Sequence, residues 1–228
     1  MDEKTVIRKK RMMTAGNIAA LILLGIVMQI GGAYLVNAAV IIMENTPAAG
    51  QYSSYMEVIR SLDTRHIMQA VIVMPIIEEL VFRLIFLRAG RMLLPIWAAN
   101  LVQAILFGVY HTVTIQRIYG FVLGLMIGCV FCYCPIIYKS RGENPQLLNL
   151  PDSLFGYALT VVLHVTINAA GIFLAPLLPA DLPTAMQVLI GTIFMMLAAG
   201  SCLKLYMLKK RITDVDAGST SEADKLRV

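Results

Sequence analysis

The apolar residues of this chain gather in six long blocks, at approximately 14–36, 67–87, 93–112, 117–138, 153–175 and 184–207. Each approaches the roughly 20 residues that a helix needs to cross about 30 Å of hydrocarbon. The blocks therefore predict six membrane-spanning helices. Residues 37–43 are apolar as well, and lengthen the first helix or open a short interfacial one. The longest connection, NTPAAGQYSSYMEVIRSLDTRH, predicts an amphipathic surface helix from about Tyr55 to Leu62.

Composition agrees with the pattern. The 228 residues are 58% hydrophobic and 14% charged, with a mean hydropathy of +0.75. Soluble domains run about 45–50% apolar and about 25% charged. The fold class expected is an all-α polytopic membrane protein, a bundle of about six transmembrane helices. Its first block starts behind basic residues, as a signal peptide does, but is too long for a 7–15-residue signal core and reads as a retained helix. The organisation expected is a basic cytoplasmic N-terminus at 1–13, a helical membrane domain at 14–211, and a polar tail at 212–228. That tail, mixed in charge and without aromatics, predicts disorder.

Charge adds an orientation. Lys4, Arg8, Lys9, Lys10 and Arg11 precede the first block, and basic residues favour the cytoplasmic side. Arg88 and Arg91, Lys139 and Arg141, and Lys209, Lys210 and Arg211 then fall on that side too. Both termini are expected in the cytoplasm of a multi-pass cell-membrane protein. Arg117, near the second outer loop, is the one cation that does not fit. The net charge of +5 sits at membrane ends, where it meets anionic headgroups, so the lipid bilayer and not nucleic acid is the partner it implies. Cys129, Cys132, Cys134 and Cys202 read as packing residues. Gly120, Gly124 and Gly128 form a small-residue stripe for close helix approach.

Against this background six polar residues stand out: Glu78, Glu79, Arg83, His111, His164 and Asn168. A charged group at the centre of a spanning helix costs about 2.5–3.5 kcal/mol on insertion scales. Such groups mark a functional site by default. Glu78 and Glu79 point about 100° apart on a helix, and Arg83 shares a face with Glu79 at i, i+4. Glu79 and Arg83 are thus read as a neutralising pair, with Glu78 left for chemistry. His164 and Asn168 also share a face and offer donors of the kind a developing oxyanion requires. His111 lies near the outer end of its block, about 10 Å shallower than Glu78 by helix rise. Bringing the two together demands a sunken third helix or a connection that dips into a water-filled cavity.

These residues carry a resemblance. EELVFR (Glu78–Arg83), FGVYH (Phe107–His111) and HVTIN (His164–Asn168) resemble the E-E-x-x-x-R, F-x-x-x-H and H-x-x-x-N motifs of the CAAX-protease and bacteriocin-processing family, also called Abi or CPBP. The likeness covers about residues 67–175. It implies an intramembrane endopeptidase, with a catalytic cavity inside the bilayer, acting on a membrane-associated peptide or protein. By the same likeness Glu78 is the general base, His111 orients or shares its proton, His164 and Asn168 stabilise the oxyanion, and Glu79 and Arg83 support the architecture. The family is often labelled metalloprotease, and zinc held by Glu78, His111 and His164 is possible. The chain has no H-E-x-x-H pair, however, and no metal or other cofactor is the favoured expectation. A second reading uses the same cluster for binding alone, in a membrane scaffold, a bacteriocin-immunity factor or a small transporter.

Overall fold

The computed structural model describes residues 14–61, 63–138 and 150–225. Every regular element among them is helical. The basic segment 1–13 and the loop holding Lys139 and Arg141 lie outside the described residues.

Helix α1 (Ala15–Ile42) starts at a reciprocal cap. The Asn17 N–H donates to the Thr14 hydroxyl at 3.3 Å, and the Thr14 N–H donates to the Asn17 side chain at 2.9 Å. This satisfies the Thr14 N–H and gives the Asn17 N–H, which also meets the Thr14 carbonyl at 2.9 Å, a second acceptor. The apolar stretch after residue 36 simply lengthens α1. Helix α2 (Pro47–Arg60) begins earlier than its amphipathic pattern indicated. Its start is set by the Thr46 side chain, which accepts the Ala49 N–H, and by Pro47, whose missing N–H is harmless in a first turn.

Helix α3 covers residues 64–93 and carries both glutamates. It is α-helical at Thr64–Met68, Met74–Glu79 and Arg88–Leu93, with two π-wound stretches between, Gln69–Val73 and Leu80–Leu87. Pro75 accounts for a gap in the first. There the Met74 N–H reaches back five residues to the Gln69 carbonyl, so the next carbonyl, Ala70, falls to residue 75, which has no N–H. At its far end α3 stops at Leu94, extended at φ −128° and ψ 152°, as the residue before Pro95 is pushed to be.

The remaining helices are α4 (Ile96–Tyr110), α5 (Thr114–Tyr138), α6 (Leu150–Phe173) and α7 (Thr184–Lys225). Six apolar blocks thus give six helical segments, of which, among the described residues, α1, α5, α6 and α7 are long and apolar enough to cross a membrane unaided. With 15 residues, α4 reaches only about 22 Å. It is cut short by Pro95 at one end and by the extended backbone of His111 at the other. Helix α7 runs on to Lys225, through residues whose composition predicted disorder. Extending a formed helix needs no new nucleus.

The bundle is organised around α5, which meets α4, α6 and α7, while α1 packs on α6 and α7. Leu21 and Met28 of α1, Ile127 and Val130 of α5, Leu163 and Ile167 of α6 and Ala198 of α7 form its core. The outside is apolar too, with Ile77, Leu93 and Trp97 exposed, because hydrocarbon is the solvent there. The glycine stripe receives α4. A Cβ at Gly124 would stand 3.2 Å from the Ala104 Cα, and at Gly128 it would meet the Asn100 side chain. Asn100 and Gln103, not singled out in the sequence, complete this seam: Gln103 Nε2 donates to Asn100 Oδ1 at 2.7 Å and to the Gly124 carbonyl at 2.9 Å.

Candidate active site

Helix α3 brings its two adjacent carboxylates to different surroundings. Glu79 is fully buried, with no exposed surface, whereas Glu78 keeps 9% of its own. The Arg83 guanidinium, also fully buried, sets its Nε 3.1 Å from Glu79 Oε2. Its Cζ stands 4.6 Å from the centroid of the Phe107 ring, a cation–π arrangement that spreads the charge onto α4.

Helix α6 supplies the partner of both glutamates. His164 Nδ1 lies 2.9 Å from Glu79 Oε1, and His164 Nε2 lies 3.6 Å from Glu78 Oε2. A carboxylate accepts, so Nδ1 carries the proton in the first contact. The second distance is beyond a hydrogen bond but within ion-pair reach. Glu79 therefore does more than neutralise Arg83: it orients the imidazole, as the carboxylate of a hydrolase triad orients its histidine. The sequence could not show this, because the contact joins residues 85 apart.

Asn168, one turn beyond His164, is half-buried and donates from Nδ2 to the Ala70 carbonyl at 3.0 Å. That is the carbonyl left over by Pro75. Asn168 thus completes the backbone of the π stretch and fastens α6 to α3, while its second amide N–H stays available. Tyr157 adds another tie, donating from its hydroxyl to the Ile76 carbonyl at 3.2 Å. Proline inside an apolar helix was the signal for the Asn168 tie, since a missing donor obliges some other group to serve the carbonyl; the Ile76 carbonyl also accepts the Leu80 N–H.

His111 caps the C-terminal end of α4 with extended backbone, φ −73° and ψ 137°. Its ring is half-buried, and Nδ1 lies 2.9 Å from the Phe107 carbonyl. A carbonyl only accepts, so Nδ1–H is fixed and Nε2 is left as the free lone pair of the neutral ring. Phe107 joins the parts of the site. Its ring centroid is 5.0 Å from that of His111 and 5.8 Å from that of His164, besides carrying Arg83. Both imidazoles thus share one aromatic wall, and the short α4 puts His111 at the protein interior's edge rather than in bulk water.

Among the described residues no group of three or more His, Cys, Asp or Glu side chains is arranged to hold an ion. An apolar cavity of about 210 Å³ opens at the junction of α3 and α4, lined by Phe86, Gly90, Leu93, Val102 and Leu106 among others. The carboxylates do not line it.

A helical bundle with a buried carboxylate–imidazole–carboxylate chain defines an all-α, multi-pass membrane protein with a polar centre inside its apolar segments. Residues 61–170, which contain Glu78, Glu79, Arg83, His111, His164 and Asn168, match the Rce1-like model of the CPBP family, described as type II CAAX prenyl endopeptidase. No curated protein and no solved structure matches the chain.

Proposed function

We infer that this protein is a metal-independent intramembrane endopeptidase that cleaves a lipid-anchored C-terminal peptide, with Glu78 as the base that activates water. What supports this most is the asymmetry of the glutamate pair. Glu79 is locked between Arg83 at 3.1 Å and His164 at 2.9 Å, while Glu78 has no hydrogen-bonded partner among the described residues and is the more exposed of the two.

The chemistry follows from these positions. Glu78 removes a proton from water as the oxygen attacks the scissile carbonyl carbon. The carbonyl oxygen takes up negative charge, which His164 Nε2 and the second N–H of Asn168 neutralise by donating to it. Because Nδ1 of His164 donates to Glu79, donation from Nε2 requires the doubly protonated ring, a cation held beside the Glu79 carboxylate. The carbon–nitrogen bond then breaks, and the proton held by Glu78 passes to the leaving amine, with His111 Nε2 as the shared acceptor on the way. The result is two peptides, one water consumed. Both termini face the cytoplasm in this reading, on the strength of Arg88, Arg91, Lys209 and Lys210.

The test is cleavage of a prenylated, quenched-fluorescent CAAX peptide by purified protein in liposomes. Wild type is expected to cleave and Glu78→Gln to fall by a factor on the order of 10³ or more, since it keeps shape and loses the base. Equal turnover by Glu78→Gln removes the proposed mechanism. No cleavage by either form removes the proposed substrate class.

A further inference from the structure

Arg117 is the cation that the charge rule placed on the wrong side of the membrane, and the motifs leave it unused. In the structure its side chain has a defined partner: Nε donates to the His111 carbonyl at 2.7 Å. That carbonyl sits where α4 has just ended, at an extended residue, so no helical N–H follows to serve it. The other side of His111 is closed by Gly120, whose missing side chain leaves room for the ring. A Cβ at Gly120 would lie 3.2 Å from His111 Nδ1 and 3.3 Å from Cε1. The turn itself is tight. A Cβ at Gly108 would stand 2.7 Å from the Arg117 carbonyl, so α4 and α5 cross there nearly backbone to backbone. His111 is thereby held at three points: its ring by the Phe107 carbonyl, its backbone by Arg117, and its ring face by the floor at Gly120.

We propose that Arg117 and Gly120 are positioning residues for His111, a clamp that fixes where its Nε2 points during proton transfer. The inference rests on the role given to His111 above. Neither residue touches the reacting atoms. Arg117 acts by fixing the peptide plane at residue 111, and with it the direction in which the side chain leaves the backbone. Gly120 acts by leaving the ring its space. A cation that breaks the charge pattern is retained because one N–H donor is required at that carbonyl, which a lysine ammonium supplies as well.

The experiment compares His111→Ala, Arg117→Met, Arg117→Lys and Gly120→Ala in liposomes with the same prenylated peptide, reading kcat and KM separately, with thermal unfolding as the control. Arg117→Met is expected to lower kcat by about ten- to a hundredfold, the effect of losing one hydrogen bond to a charged donor, with KM unchanged. Arg117→Lys is expected to recover most of that loss. Gly120→Ala is expected to leave the unfolding temperature close to wild type, the helix preference of alanine over glycine offsetting the contact with the ring, yet to lower kcat at least tenfold by pressing on it. Loss of turnover without loss of stability is a result a merely structural role would not give. Full turnover by His111→Ala overturns both this inference and the mechanism above it. An impaired His111→Ala together with wild-type kcat in Arg117→Met or Gly120→Ala overturns the clamp alone. Should Arg117→Met fail to fold, Gly120→Ala decides by the same kcat criterion.

Discussion

Two neighbouring glutamates with opposite dependence on their surroundings make the sharpest prediction. Glu79→Gln and Glu78→Gln are chemically the same change, one residue apart. At residue 79 the change removes the anion that lies 3.1 Å from Arg83 and 2.9 Å from His164, with no exposed surface on Glu79 or Arg83. Arg83 is left as an uncompensated buried cation, and breaking a buried pair in this way costs about 3–5 kcal/mol. For a chain of this length each kcal/mol lowers the unfolding temperature by about 2–4 °C, so the shift is on the order of 10 °C. At residue 78 the nearest charged partner is His164 at 3.6 Å, too far for a hydrogen bond. The loss expected there is below about 1 kcal/mol. The assay is built into the chain: Cys132, Cys134 and Cys202 are buried free thiols, and a thiol-reactive dye in detergent reports their exposure on heating. Glu79→Gln should unfold about 10 °C early, and Glu78→Gln close to wild type while losing turnover. Equal unfolding temperatures for the two variants would refute the division of labour between them.

Four further outcomes are expected. Gly124→Val, which forces side-chain atoms into a space where even a Cβ meets Ala104 at 3.2 Å, should cost about 1–3 kcal/mol as overpacking, read by the same thermal assay, and should lower turnover because α4 carries His111. Asn168→Ala should lose about 1 kcal/mol with the bond to the Ala70 carbonyl; Pro75→Ala in that background, by restoring an N–H, should recover it, and simple additivity of the two changes would exclude this pairing. Chelator treatment of the purified protein should leave peptide cleavage unchanged, and loss of activity restored by zinc would reverse the metal-independent reading. Asp63, which caps α3, has its carboxyl held below the ordinary carboxylate range by the His66 backbone N–H. Its folded-state value is the lower one, so the contribution is complete above about pH 4 and is lost as pH falls through that depressed value. Protection of the His66 amide from exchange, relative to its intrinsic rate at each pH, should fall at acid pH in wild type and stay level in Asp63→Asn.

What could be read from the sequence, and what could not, divides along the reach of each interaction. Block length exposes membrane helices because the bilayer imposes one dimension on every crossing. Helical period exposes the Glu79–Arg83 pair because both members belong to α3. The link from Glu79 to His164 crosses helices at a separation of 85 residues, and no periodicity encodes it. Glycine spacing predicted a close approach without naming the helix that makes it, and hence without showing that Gly120 lies against His111. The π winding of α3 was hidden for another reason, since it shifts register without altering hydrophobicity. Pro75 did announce it, as a donor missing where a carbonyl still needs one. Two departures from simple rules, a proline within an apolar helix and a cation that breaks the charge pattern, therefore carried structural information that the apolar pattern did not. Both lead to backbone carbonyls, at Ala70 and at His111. In hydrocarbon an unserved carbonyl finds no water, so a polar residue that looks misplaced in such a chain is best traced first to the backbone it serves, and only then to the chemistry beside it.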